Sequence, residues 1–96
     1  MSLLFVVSNL SSAAILKGLA GACCRNQVEF LCFFTGAGIK VLADPEITGL
    51  LAKAKRAVVC EYSWEIYADS DTAPVETGSQ TDHSAMIGSV SRVVSL

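Results

Sequence analysis

Short, nearly continuous apolar runs alternate along the chain with segments that have helical periodicity. The runs at residues 3–7, 28–34 and 57–60 are typical of strands covered on both faces of a parallel sheet. A further apolar run at residues 92–96 predicts a closing strand. Since helical segments separate these strands, we predict an α/β fold with a small, mostly parallel sheet of about five strands flanked by helices.

The segments between the strands carry helix start signals. The first helix has an apolar stripe at helical spacing, formed by Ile15, Leu16, Leu19, Ala20 and Cys23. Residues 38–43 predict a short helix or helical turn, residues 64–68 another turn, and residues 69–81 a polar loop in which Val75 can belong to a short strand. The last helix is predicted to present Ala85, Met86, Ile87 and Val90 to the core. Predicted N-caps are Ser11 or Ser12, Asp44 before Pro45, Ser63, and Ser79 or Thr81.

The composition restricts the class of protein. A chain of 96 residues is expected to form one domain, residues 1–96. Its charged fraction of 17% and hydrophobic fraction of 52% leave a monomer short of polar surface, so we expect a homo- or hetero-oligomer. The net charge of −2 argues against nucleic acid as a partner.

The expected location is the cytoplasm, with no membrane partner. The apolar N-terminal stretch has no preceding positive charge and is interrupted at Ser8 and Asn9. The four cysteines show no C-x-x-C spacing and the chain has one histidine, so we expect reduced thiols, no zinc and no cofactor.

Candidate binding residues follow the predicted strands, because ligands of open parallel sheets bind beyond the carboxyl ends of the strands. The turn at residues 35–38 either cradles an anion with its backbone amides or is a flexible connection between strand and helix. Three strand ends supply the candidates, which are Ser8 and Asn9; Thr35, Gly36 and Gly38; and Tyr62 and Ser63.

Cys60 is the candidate catalytic residue. It closes a predicted strand just before a helical turn, a position that lowers the pKa of a thiol, while the carboxylate of Glu61 acts in the opposite direction. The alternative is that Cys60 continues the apolar run as a packing residue. His83 is either an exposed polar residue or a proton donor or base that reaches Cys60.

The order and spacing of these segments resemble the DsrE/DsrF-like family of small sulfur-relay proteins. The resemblance covers nearly the whole chain. It rests on the first apolar strand, on Phe33-Phe34-Thr35-Gly36-Ala37-Gly38-Ile39, on Val58-Val59-Cys60-Glu61-Tyr62-Ser63, and on the closing Arg92-Val93-Val94-Ser95-Leu96. Two departures are Ala37, where many members are acidic, and residues 64–68, which lack the basic and glycine residues often found there.

The resemblance implies a flavodoxin-like three-layer sandwich that assembles into trimers or hexamers. It also implies that Cys60 accepts sulfane sulfur from a donor protein as a persulfide and passes it to an acceptor protein. Two alternatives stay open, a non-catalytic structural or regulatory subunit and a small-ligand-binding module that uses residues 35–38.

Overall fold

The computed structural model describes residues 1–96 and contains five strands, four α-helices and two 3₁₀ helices. The strands are β1 (Ser2–Val7), β2 (Glu29–Phe34), β3 (Arg56–Cys60), β4 (Glu76–Gly78) and β5 (Arg92–Ser95). The α-helices are α1 (Ala13–Arg25), α2 (Pro45–Leu51), α3 (Glu61–Tyr67) and α4 (Gln80–Ser89). The 3₁₀ helices are Leu10–Ser12 and Gly36–Ala43.

The five strands form one sheet in the order β4-β3-β2-β1-β5, and every neighbouring pair is parallel. The predicted α/β fold with helices on both faces of a parallel sheet is therefore confirmed. Flavodoxin places its first strand between the second and third, whereas here β1 lies between β2 and β5. The three-layer arrangement is shared and the strand order is not.

The two faces of the sheet are covered unequally. Connections from β1 to β4 step in one direction across the sheet, and the last connection returns to β5 beside β1. Right-handed crossovers then place α1, α2 and α3 on one face and leave α4 alone on the other. The first face carries a core of 14 buried residues, while the second, which we call the α4 face, carries six.

The six buried residues of the α4 face come from three strands and one helix. Leu4, Leu31, Phe33, Val58 and Cys60 project from the sheet, and Met86 is the buried residue of α4. The predicted stripe of α4 is wrong in part, because Ile87 is 44% exposed. Ala85, Met86 and Ile87 are consecutive and cannot all face the sheet, so Met86 is buried, Val90 packs partly buried against the same core, and Ala85 and Ile87 are exposed.

Most predicted helix starts are confirmed, and one is wrong. Asp44 caps α2 through the amide of Glu46, and Ser79 caps α4 through the amide of Asp82. Ser63, however, lies inside α3, whose N-cap is Cys60. The helix begins directly at the end of β3, so no residues are left for a separate cap.

Smaller differences between the predictions and the structure concern the cap of the first 3₁₀ helix and the buried side of α1. The first 3₁₀ helix is capped by Asn9, whose side chain accepts from the amide of Ser11. Of the predicted α1 stripe, Ile15 is exposed, because the buried side is centred on Leu16, Ala20 and Cys23. No helix in the structure combines the length and apolar character needed to cross a bilayer.

Candidate functional site

Cys60 lies where β3 ends and α3 begins. Its neighbour in the sheet is Gly78 of β4. The cysteine is buried, with 5% of its surface exposed, and it packs on the α4 face with Phe33 and Met86. The site is therefore a covered thiol at the carboxyl edge of the sheet.

The Cys60 thiol lies at the start of α3, with Tyr62 and Ser63 in the first turn of that helix. Burial raises the pKa of the Cys60 thiol, but the nearby polar groups of Ser63, Tyr62 and Gln80 lower it, and the lowering is the larger effect. The net result is a pKa below the ordinary value for cysteine. Donors of this kind favour the charged form of an acceptor, so they stabilise a thiolate.

Ser63 joins the sulfur site to the turn that follows β2. Its buried Oγ accepts a hydrogen bond from the Gly36 amide at 2.8 Å and lies 3.4 Å from the Thr35 hydroxyl. Three of the predicted site residues, Thr35, Gly36 and Ser63, are thus brought together, and Ser63 lies three residues after Cys60 in the chain. Tyr62 contributes its amide, while its ring is 68% exposed.

Ser63→Ala is expected to lower the free energy of unfolding by about 1–3 kcal/mol, because the Gly36 amide loses its acceptor in a partly buried position. The same change removes one donor from Cys60 and raises the pKa of that thiol. Urea denaturation measures the first effect. Ser8→Ala is the matched control, since its exposed hydroxyl makes one long contact of 3.4 Å to Leu96 O. Equal stability of the two variants would contradict the role of Ser63.

Gln80 and His83 extend the site along α4. Gln80 is the first residue of α4, and its Oε1 lies 3.3 Å from the Nδ1 atom of His83. The His83 ring stacks on Phe33, with centroids 4.3 Å apart and planes at 4°. His83 Nε2 is buried and has no hydrogen-bond partner. His83 is therefore not simply an exposed polar residue; its ring lies on the side chain of a strand that adjoins β3.

Ion pairs and a capping box hold the start of α4 against the sheet. The Asp82 carboxylate accepts from the Ser79 amide at 2.8 Å, and Arg56 pairs with Asp82 at 3.3 Å and with Glu76 at 2.6 Å. The Ser79 amide and the Arg56 guanidinium hold the pKa of Asp82 below its usual range. A Cβ at Gly78 would lie 2.9 Å from Asp82 Oδ2. The absence of a side chain at Gly78 therefore permits α4 to begin close to β4.

The other predicted binding residues serve the fold. Ser8 and Asn9 make local contacts, since the Asn9 side chain caps the first 3₁₀ helix. A Cβ at Gly38 would lie 2.3 Å from the carbonyl oxygen of Val7, so Gly38 permits close packing against β1. The amide of Thr35 donates to Val7 O, and that of Gly38 donates to Thr35 O. With these amides occupied inside the protein, the turn does not form the open anion cradle considered from the sequence.

The remaining cysteines have different surroundings. All four thiols are free. Burial raises the pKa of Cys23 and places that of Cys32 far above its ordinary value. Cys24 is half-buried. No group of three or more His, Cys, Asp or Glu side chains is arranged to hold a metal ion. Cys60 is the cysteine whose surroundings lower its pKa.

A cavity of about 430 Å³ lies on the opposite face of the sheet from Cys60, between the second 3₁₀ helix and α3. Its apolar lining includes Ile39, Leu42 and Trp64, with Lys40 and Asp69 among the polar residues. Cys60 does not line it. This cavity is therefore separate from the thiol.

Comparisons with known proteins return no match: no family model, no curated protein and no solved structure resembles this chain closely enough to be significant.

Proposed function

We propose that the protein is a sulfur carrier of the DsrE/DsrF-like type, in which Cys60 holds sulfane sulfur as a persulfide and passes it to a partner protein. The observation that supports this proposal is a cysteine placed between the end of β3 and the start of α3, with a pKa below the ordinary value. The Ser63 and Tyr62 amides, the Ser63 hydroxyl and the Gln80 side chain lower the pKa of the thiol although it is buried. A cysteine used for packing alone needs no such donors.

The proposed reaction needs no external oxidant. The Cys60 thiolate attacks the outer sulfur of a donor persulfide; the new sulfur–sulfur bond forms as the donor's own sulfur–sulfur bond breaks. The donor leaves as a thiolate with the electron pair of the broken bond, and Cys60 becomes a persulfide. A thiol of the acceptor protein then attacks the outer sulfur in the same way and restores the Cys60 thiolate.

The amides at the site fit this cycle in both states. In the resting state they stabilise the attacking thiolate, and after loading they lie beside a persulfide that is itself readily ionised. The partners of the proposal are a sulfur donor, a sulfur acceptor and the other subunits of a trimer or hexamer, in the cytoplasm. Contact with a partner is the step that must uncover the sulfur, since Cys60 is largely covered in the single chain.

A second candidate is a structural or regulatory subunit of an assembly. It is favoured by the low exposure of Cys60 and by the exposed apolar side chains of Ile87 and Val93 near the thinly covered α4 face. In that case Cys60 is a packing residue, and Cys60→Ala leaves cellular function intact. Sulfur transfer instead requires that the same variant lose function.

The direct test is incubation with a persulfide donor followed by intact mass and peptide mapping. The expected result is a gain of one sulfur atom on Cys60, retained in Cys24→Ser and lost in Cys60→Ser. Cys24 is the matched control because it is free and half-buried, so it reports reaction of an ordinary thiol. No uptake, or uptake confined to Cys24, would contradict the sulfur-carrier proposal.

A further inference from the structure

The cavity between the second 3₁₀ helix and α3 is bounded by two connections that follow neighbouring strands. The first is the 3₁₀ helix Gly36–Ala43, which follows β2, and the second is α3 with the loop that runs on to Pro74, which follows β3. Because β2 and β3 are parallel neighbours, both connections leave the same edge of the sheet, and right-handed crossovers place them side by side on one face. The cavity is therefore a consequence of the topology.

The apolar wall of this cavity is anchored in the larger core. Ile39 and Leu42 are buried members of the 14-residue core, and Trp64 and Ala68 pack against the same core. Side chains held in this way present a preformed apolar surface. The volume of about 430 Å³ lies near the lower end of small-molecule sites, which span roughly 300–1,000 Å³. The cavity therefore suits a small ligand with an apolar body.

Two opposite charges line the cavity without a partner in the chain. Lys40, on the 3₁₀ helix, is the only cation of the lining, and Asp69, just after α3, is its only carboxylate. They do not pair with each other or with another charged side chain, since the ion pairs of the protein are made by Lys17, Lys55 and Arg56. A ligand that neutralises both must itself carry one anionic and one cationic group.

We propose that this cavity binds a free α-amino acid with an aromatic or large aliphatic side chain. Lys40 pairs with the carboxylate of the ligand, Asp69 pairs with its ammonium group, and the wall that contains Ile39, Leu42 and Trp64 receives its side chain. A simple amine or a simple carboxylate would leave one of the two protein charges unpaired. The site is separate from Cys60, so this inference goes beyond the proposed sulfur transfer and does not depend on it.

The fluorescence of Trp64 reports binding directly, because Trp64 is the only tryptophan of the chain and lines the cavity. The titrants are L-phenylalanine and L-leucine, neither of which absorbs where tryptophan is excited. Each is expected to give a saturable change in emission and to raise the unfolding temperature. Phenethylamine, which lacks the carboxylate, and N-acetyl-L-phenylalanine, which lacks the ammonium group, should each bind about fivefold more weakly than L-phenylalanine.

Two variants assign the charged contacts. Lys40→Gln should weaken L-phenylalanine about fivefold and leave phenethylamine unchanged, because phenethylamine has no carboxylate to lose a partner. Asp69→Asn should likewise weaken L-phenylalanine and leave N-acetyl-L-phenylalanine unchanged. The matched controls are Lys53→Gln and Asp71→Asn, which alter exposed charges outside the lining and should bind L-phenylalanine as the parent does. All four positions are exposed, so each variant is expected to fold.

The proposal is overturned if neither amino acid changes the Trp64 emission or the unfolding temperature. It is also overturned if the two single-charge analogues bind as tightly as L-phenylalanine, or if Lys40→Gln and Asp69→Asn bind L-phenylalanine as the parent does. Cys60→Ser should retain binding in full. Amino-acid binding without sulfur uptake would refute only the carrier proposal, and sulfur uptake without amino-acid binding would refute only this inference.

Discussion

Gly38→Ala is expected to lower the free energy of unfolding by about 3–5 kcal/mol, measured by urea denaturation. The added Cβ would lie 2.3 Å from the carbonyl oxygen and 2.7 Å from the carbonyl carbon of Val7. Both atoms belong to the backbone of β1, which is hydrogen-bonded on both sides within the sheet. Neither can move without disturbing the ladder, so the substitution must displace the 3₁₀ helix.

Gly49→Ala is the matched control for this change. Gly49 lies in α2 with nothing within 4 Å of an added Cβ, and alanine in a helix is favoured over glycine by about 0.5–1 kcal/mol. The two substitutions add the same methyl group and should shift stability in opposite directions. Loss of stability by Gly49→Ala equal to that of Gly38→Ala would show that contact with Val7 is not the cause.

Phe33→Ala is the second change with a large expected effect, a loss of about 3–5 kcal/mol in the free energy of unfolding. Phe33 is fully buried in the central strand of the sheet and also supports the His83 ring. The six-residue core of the α4 face has few side chains with which to fill the resulting cavity. Thermal and urea unfolding give the measurement.

Tyr62→Ala removes an aromatic ring of similar size from the surface, where it is 68% exposed, and should change stability by no more than about 0.5 kcal/mol. A loss at Phe33 no greater than the loss at Tyr62 would mean that the α4 face is not packed as described. The comparison tests the six-residue core of the α4 face, in which Cys60 is packed.

The architecture was predictable from the sequence because short, continuous apolar runs are typical of strands that are buried on both faces of a parallel sheet. Residues 30–34 are apolar on both alternating sets of positions, and both faces of β2 are in fact covered. The stripe of α4 was predicted less well. Periodicity indicates which side of a helix is apolar, but how far a helix is covered depends on the size of its partner surface. The surface that α4 packs against is small, and Ile87 is exposed.

The candidate site was predictable only in part. Position at the end of a strand singled out Cys60, and Thr35, Gly36 and Ser63 do meet beside it. The contribution of Gln80 was missed. It depends on β4 pairing with β3 so that Gly78 lies beside Cys60, and the sequence spacing of 20 residues between Cys60 and Gln80 does not reveal that register.

The direction of the pKa shift of Cys60 also could not be predicted from the sequence, because burial raises the pKa of a thiol and polar neighbours lower it. At Cys32, burial and the neighbouring Cys23 both raise the pKa, far above the ordinary value. Cys60 is also buried, yet its donors reverse the direction. The two cysteines in adjacent strands differ in how deeply the thiol is buried and in the polar neighbours that lower the pKa of Cys60, and only the folded chain sets both.

The most direct measurement is the ionisation of Cys60 followed by thiolate absorbance in the ultraviolet, as the difference between Cys24→Ser and Cys24→Ser with Cys60→Ser. Cys23 and Cys32 do not interfere, since burial moves their pKa values upward. The predicted midpoint lies below the ordinary pKa of cysteine, so that a larger fraction is thiolate at neutral pH. A midpoint at or above the ordinary value would mean that the amides do not hold an anion there.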